Sequence, residues 1–350
     1  MEAEIPGHGR PEAKALEFTQ TVDRSLLHRW ALSEVFLTDA RRVSESEYLA
    51  AAQLPSAHGY YTEGTSRLGV PDPLLLLECC RQAETYGGHV FFDVARDTTF
   101  LLRSWSMSLP GLLTVPTYPR PGELAMRVRT GNRRGAAGDV RRLTYDIDMA
   151  LFGHRLGRVN IDVGYIPGPV YAAVRERGRG GPLTPFAEIP RTASCVPPFL
   201  VGRTDPANVV LGDVTVGPDG ASAPIRPPVD HRSMFDHEQD HLPGMVLMEA
   251  ARQLCLLAAS ELFGASVPRT TVVGLDFSFT RYAELDSLTT VHIRKAEAYG
   301  YTAESGDRLP QARLFHVEFT QDSTVVAAGR VHTATSVLAD RPSVGAGVEA

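Results

Sequence analysis

Cysteine is scarce: four in 350 residues, at positions 79, 80, 195 and 255. Neither their number nor their spacing makes a disulfide framework or a zinc ribbon. Long apolar runs are missing, and no stretch approaches the ~18 residues of a membrane helix. The first residues, "MEAEIPGHGRPEAKALEF", lack the apolar core of a secretory signal. Their Gly7-x-Gly9 follows no strand and makes no nucleotide site. Positive charge is in short supply as well. The formal net charge is −6, which argues against wholesale nucleic-acid binding. The expectation is a cytoplasmic protein with reduced thiols, using neither nucleic acid nor membrane as partner.

A metal motif is present in letters only. His237-Glu238-Gln239-Asp240-His241 matches H-E-x-x-H. That pattern binds zinc when both histidines share one face of a helix. Pro243 and Gly244 follow immediately, and proline is favoured at a helix start and expelled from its interior. The spacing therefore predicts a helix beginning near Pro243, with both histidines in the loop before it. No metal and no cofactor is expected.

What is there is a chain written twice. "LLECCRQ" at Leu76–Gln82 has a partner in "LMEAARQ". Glu78, Arg81 and Gln82 match Glu249, Arg252 and Gln253, each 171 residues on. "PSAH" ending at His58 matches "PVDH" ending at His231, 173 apart. "TTF" from Thr98 matches "TTV" from Thr270, and "GRV" recurs at Gly157 and Gly329, both 172 apart. Each copy has a short extended piece, a His-bearing loop, one long helix starting near Asp72 or Pro243, and then strands. The strands show period two: Leu143, Tyr145, Ile147, Met149 and Leu151 in one copy, Phe315, Val317 and Phe319 in the other. Boundaries follow: a segment 1–30, domain 1 at 31–170, a Gly/Pro-rich linker at 171–200, domain 2 at 201–336, and a mobile tail at 337–350. A helix apolar on most sides with antiparallel strands after it predicts a sheet wrapped around each helix. Glu78 and Glu249 are then conspicuous, because a carboxylate among Leu and Met needs a partner. The Arg three residues later can pair with it, so a duplicated structural ion pair is one reading of these residues.

Pro243-Gly244-x4-Glu249-Ala250 has the spacing of the catalytic helix start of hotdog-fold acyl enzymes, including the hydroxyacyl-carrier-protein dehydratases. "FDHEQDHLPGMVLMEAARQ", with "DPLLLLECCRQA" upstream, resembles more narrowly the A-factor biosynthesis (AfsA) family. The resemblance covers roughly residues 31–335. It implies an α+β tandem hotdog fold, with two antiparallel sheets each around a central helix and related by a pseudo-twofold. It implies an acyltransferase that moves a β-ketoacyl group from an acyl-carrier-protein thioester to a hydroxyl of dihydroxyacetone phosphate. The product would lead to γ-butyrolactone, butenolide or furan signals. The site residues it implies are Glu78, Arg81, Glu249 and Arg252.

The residue types suit that chemistry. A carboxylate of raised pKa takes a hydroxyl proton; an apolar helix raises it and a neighbouring Arg opposes this. Arg pairs with phosphate. The free N–H groups near Gly244 and Met245 would face an oxyanion. His58, His231, His237, His241, Gln82 and Gln253 are candidate substrate-binding residues. The dehydratase histidine position falls on Phe235, which argues against simple dehydration. Cys79 and Cys80 read as packing rather than nucleophiles. Arg133, Arg134, Arg141 and Arg142 are a candidate docking patch for an acidic carrier. The chain is expected as a pseudo-dimeric monomer or weak homodimer. A hotdog thioesterase or dehydratase, and a non-catalytic acyl-binding protein, are the alternatives.

Overall fold

The computed structural model describes residues 15–63, 70–116, 120–134, 139–179, 181–191, 194–218, 220–302, 306 and 308–336. The Gly7–Gly9 pair and the tail 337–350 lie outside the described residues.

Each long helix starts where its sequence puts a stop to other structures. Helix α1 (Pro73–Phe91) carries Pro at its first position, and Asp72 caps it by accepting the Leu74 N–H at 2.7 Å. The second copy's helix (Gly244–Phe263; α3 below) follows Pro243 with no side-chain cap. It ends at Gly264, whose φ of 65° closes the last turn through Gly264 N–H to Ser260 and Ala265 N–H to Ala259. Val246 to Ala259 is buried without interruption, so this helix is covered on every side.

Strands supply that cover. In chain order they are β1 (Leu37–Arg42), β2 (Glu47–Leu54), β3 (Thr98–Ser108), β4 (Gly122–Arg134), β5 (Val140–Leu151) and β6 (His154–Pro167). The second copy repeats them as β7 (Thr215–Gly217), β8 (Gly220–Pro224), β9 (Thr270–Phe279), β10 (Thr289–Thr302), β11 (Arg308–Gln321) and β12 (Thr324–Thr335). Every pairing is antiparallel, and the order is β1-β2-β4-β5-β6-β3-β9-β12-β11-β10-β8-β7. That order reads the same from both ends if β1 is exchanged for β7, β2 for β8 and so on. The two six-stranded sheets join edge to edge at β3–β9, with Ser106 opposite Asp276. In β5 the residues Leu143, Tyr145, Ile147, Met149 and Leu151 all face the core, and Phe315, Val317 and Phe319 do so in β11. The duplicated pattern predicted a sheet around each helix, and this is the tandem hotdog architecture that the family resemblance implies. Among the described residues no helix is long and apolar enough to cross a membrane.

Between the copies the Gly/Pro-rich stretch contains a helix, α2 (Gly168–Arg179). Arg175 fixes it by pairing with Asp240 at 2.9 Å and Glu284 at 2.7 Å. Composition hid this helix, because its anchoring cation bonds to residues more than sixty positions away.

Candidate active site

Glu249 lies on the second turn of α3 with no exposed surface, and every oxygen lone pair is addressed. Arg203 donates Nε (3.0 Å) and Nη2 (2.9 Å) to Oε1, and the Gln253 amide donates there too. Tyr60, from the first copy, donates its O–H to Oε2 at 2.9 Å, joined by Arg252 Nη2. Gln253 is itself clamped: its carbonyl accepts the Val210 N–H (3.0 Å) and its amide donates to the Asn208 carbonyl (2.7 Å). Arg252 also reaches across to both oxygens of Asp72, at 2.7 and 2.6 Å. The α1 cap is thus tied to α3. Burial pushes the Glu249 carboxyl up, but the Arg203 and Arg252 guanidiniums outweigh it and hold the group at about 2. Where the sequence left the balance open, the cations win.

Glu78 on α1 is built the same way. Arg81 Nε donates at 2.9 Å, Gln82 at 2.9 Å, and Arg29 Nη2 completes the set. Gln82 accepts the Phe36 and Leu37 N–H groups (2.9 and 3.2 Å) and donates to the Glu34 carbonyl (2.7 Å). Burial again raises this carboxyl, and Arg29 with Arg81 draws it down to about 2.

Arg29 and Arg203 escaped the sequence reading, and Arg29 was assigned to the N-terminal segment. A signal was present: Arg29-x5-Val35-x-Leu37-x-Asp39 repeats as Arg203-x5-Val209-x-Leu211-x-Asp213, 174 residues on. Tyr60, Asp72 and Trp105 were missed too, because each acts on the opposite copy. Trp105 of β3 places its Cη2 and Cζ2 atoms 3.1 and 3.4 Å from where a Cβ on Gly244 would stand, and its indole N–H is buried without an acceptor. Gly244 thereby admits the indole edge to the α3 start.

The His-bearing loops exchange between copies. Glu63 accepts the Thr204 N–H at 2.6 Å, and Asp236, 173 residues later, accepts the Trp30 and Ala31 N–H groups at 2.6 and 3.0 Å. His58 sits 3.3 Å from Glu34, and His231 lies 2.7 Å from Asn208 Oδ1, the pseudo-equivalent position. Both histidines therefore lie beside the Gln82 and Gln253 clamps. His237 stacks on Trp30, its Nε2 meets Gln239 at 2.6 Å, and its Nδ1 has no hydrogen-bond partner, standing 3.6 Å from Asp236. Burial lowers its pKa. His241 goes elsewhere: it pairs with Asp240, which also accepts from Tyr171 and Arg175 of α2. The H-E-x-x-H letters precede the helix, which begins at Gly244, and their two histidines serve different neighbours.

Cys79 and Cys80 are fully buried, with Cys80 against Met126 and Met149, and burial raises both thiols. In the arginine patch, Arg141 pairs with Asp139 and Arg142 with Asp162; the side chains of Arg133 and Arg134 lie outside the described residues. A hollow of about 450 Å³ opens on the outer face of the sheet between Ser104, Thr144, Asn160 and Asp276. It meets neither carboxylate cluster. A smaller cavity of about 60 Å³ is lined by Asp72, Arg203 and Arg252 of the second cluster.

The model of the A-factor biosynthesis hotdog domain matches twice, over residues 12–162 and 186–336. Among curated relatives, the 2-oxo-3-(phosphooxy)propyl 3-oxoalkanoate synthase of Streptomyces virginiae is 34% identical over 309 residues, spanning 88% of this chain and 96% of the relative. The enzyme of the same name from Streptomyces coelicolor is 28% identical over 307 residues, with 86% and 91% covered. Two family matches that coincide with the two halves of the sheet, and relatives aligned along nearly their full length, establish that the chain belongs to the A-factor biosynthesis (AfsA) hotdog family.

Proposed function

We propose that this protein is an acyltransferase that joins a 3-oxoacyl group, delivered as an acyl-carrier-protein thioester, to the hydroxyl of dihydroxyacetone phosphate. The carrier thiol leaves, and the ester is the first precursor of a γ-butyrolactone-type signal. The relatives' name describes that product: a 2-oxo-3-(phosphooxy)propyl group is the skeleton of dihydroxyacetone phosphate, esterified to a 3-oxo acid. The observation that carries the reading is alignment over 96% of the Streptomyces virginiae enzyme, with both E-x-x-R-Q helices present in this chain.

The geometry supports the acyl end. The α3 start has no side-chain cap, and no acceptor among the described residues meets the Gly244 and Met245 N–H groups. The indole edge of Trp105, whose buried N–H also has no acceptor, packs against Gly244. A thioester carbonyl placed there gains its negative charge against pre-oriented donors as the tetrahedral intermediate forms. The first copy offers no such hole: Asp72 caps that helix, and Pro73 has no N–H.

Glu249 and Glu78 act in this reading as ionised anchors. Glu249 orients Arg203, Arg252 and Tyr60, and Glu78 orients Arg29 and Arg81. Their low pKa makes them poor bases. The hydroxyl proton passes to the departing carrier thiolate, and His237, partly open beside Trp30, contacts the acceptor substrate. His58, His231, Gln82 and Gln253 set the loops around both clusters, and His241 holds the loop to α2. We further assign residues 31–170 and 201–336 as the two working units, acting as a pseudo-dimeric cytoplasmic monomer or weak homodimer.

Mass spectrometry of a reaction with 3-oxoacyl carrier protein and dihydroxyacetone phosphate tests the assignment. The phosphorylated ester is expected. Free 3-oxo acid as the only product makes the protein a thioesterase, and tight thioester binding without turnover makes it an acyl-binding protein.

A further inference from the structure

The two carboxylate clusters descend from one pattern, yet they differ in how their guanidinium donors are used. In the second copy each terminal guanidinium nitrogen already has an acceptor. Arg252 gives Nη1 to Asp72 and Nη2 to Glu249. Arg203 gives Nη2 to Glu249 and Nη1 to the Tyr60 carbonyl at 2.8 Å and to Glu63 at 3.4 Å. For the first-copy cluster the position matching Asp72 is Pro243, so Arg81 has no second carboxylate to meet as Arg252 does; the carboxylate that stands instead at the place of Asn208, Glu34, meets His58 and the Ser233 hydroxyl.

Donors are left over in consequence. Arg29 spends Nη2 on Glu78, and its Nε is buried with no partner. Arg81 spends Nε and Nη2 on Glu78, and its Nη1 meets no acceptor among the described residues. His237 adds the unpartnered Nδ1. The cluster opens at Arg81 and His237, whose side chains are 29% and 27% exposed, while Arg29, at 10%, is as buried as Arg252. A buried donor without an acceptor is costly, and two guanidiniums with free N–H groups match the several oxygens of a phosphate.

We infer that Arg29, Arg81 and His237 form an anion subsite in the first copy that receives the phosphate monoester of the acceptor substrate. The two copies then divide the labour, the second presenting donors to the thioester carbonyl and the first holding the phosphate. The identity of the phosphate's owner rests on the acyltransferase reading; the existence of the anion subsite does not.

Titration of the full chain with inorganic phosphate, and separately with dihydroxyacetone phosphate, by isothermal calorimetry tests this without any turnover. Wild type is expected to bind both. Arg81→Lys and Arg29→Lys keep a positive charge beside Glu78 but lose the fork, and each is expected to weaken phosphate binding by about 10–100-fold. Arg252→Lys is expected to leave phosphate affinity near wild type. Melting curves confirm that each variant is folded, and His237→Gln carries the same test if a lysine variant is not. Absence of phosphate binding by wild type, or loss in Arg252→Lys but not in Arg81→Lys, overturns the subsite. Phosphate binding that is lost in Arg81→Lys, in a protein that transfers no acyl group, would leave the subsite standing and sink the acyltransferase reading alone.

Discussion

Replacing Glu249 with Gln keeps the shape of the side chain and removes the charge that the second cluster is built around. An amide offers one acceptor oxygen and one NH2 group. If the NH2 stands at Oε1, it faces three N–H donors from Arg203 and Gln253; if at Oε2, it faces Arg252 and the Tyr60 hydroxyl. Either way donors lose their acceptor in a place with no exposed surface. Breaking a buried pair costs about 3–5 kcal/mol. The carboxyl's fall from its ordinary 4.5 to about 2 gives a similar figure, about 3 kcal/mol. A folded pKa below the unfolded one means that this stability is present above about pH 4.5 and lost as pH falls toward 2. Glu249→Gln should therefore melt about 5–10 °C below wild type at pH 7, and the gap should close as the pH is lowered through 4. Scanning calorimetry at several pH values reads both effects. A Glu249→Gln protein that melts with wild type at pH 7, or a gap unchanged at pH 3, would refute the ionised-anchor account.

Glu84 should behave in the opposite sense. It is buried on α1, where among the described residues only the Thr85 and Tyr165 hydroxyls are bonded to it, at 3.1 and 3.4 Å, and burial lifts its pKa to about 7. Here the native state holds the extra proton between about pH 4.5 and 7, so the group costs stability as pH rises through that window. Glu84→Gln should stabilise the protein by up to about 3 kcal/mol at pH 8 and change little at pH 4, as read by denaturant titration. Tyr60→Phe removes one donor that ties the first copy to Glu249 and should cost about 1–3 kcal/mol, again by denaturant titration; no change would mean the bond carries nothing. For Trp105, 3-benzothienylalanine replaces the N–H by sulfur; Trp30→Phe confines it to that site. Turnover should fall by about 10²-fold at nearly constant melting temperature, whereas full activity would remove the indole from the oxyanion hole.

The duplication, the helix starts and the buried faces were legible in the sequence, because each rests on local spacing. Pro243 and Asp72 mark helix starts by their own backbone chemistry, and Leu143 to Leu151 name the inner face of β5 by alternation. Glu78, Arg81 and Gln82 form one cluster, as do Glu249, Arg252 and Gln253, since three and four residues bring side chains to one helix face. What could not be read crosses the pseudo-twofold. Tyr60 reaches Glu249 over 189 positions and Asp72 reaches Arg252 over 180. Neither contact leaves a mark in its own neighbourhood. The pKa of Glu249 follows from such contacts, which is why the sequence leaves the balance between apolar helix and neighbouring Arg open while the folded chain settles it on a lowered value. Arg29 and Arg203 lie between these cases: their repeat was in the sequence, but the feature that selects them is the carboxylate they meet.

The central claim is transfer, and its stoichiometry tests it most directly. In a single turnover of 3-oxoacyl carrier protein with phosphorus-labelled dihydroxyacetone phosphate, carrier thiol released and phosphate ester formed are measured together. The account predicts that they rise at the same rate and in equal amounts, and that omitting dihydroxyacetone phosphate stops thiol release. Thiol release that continues without the acceptor, with no labelled ester formed, would contradict it.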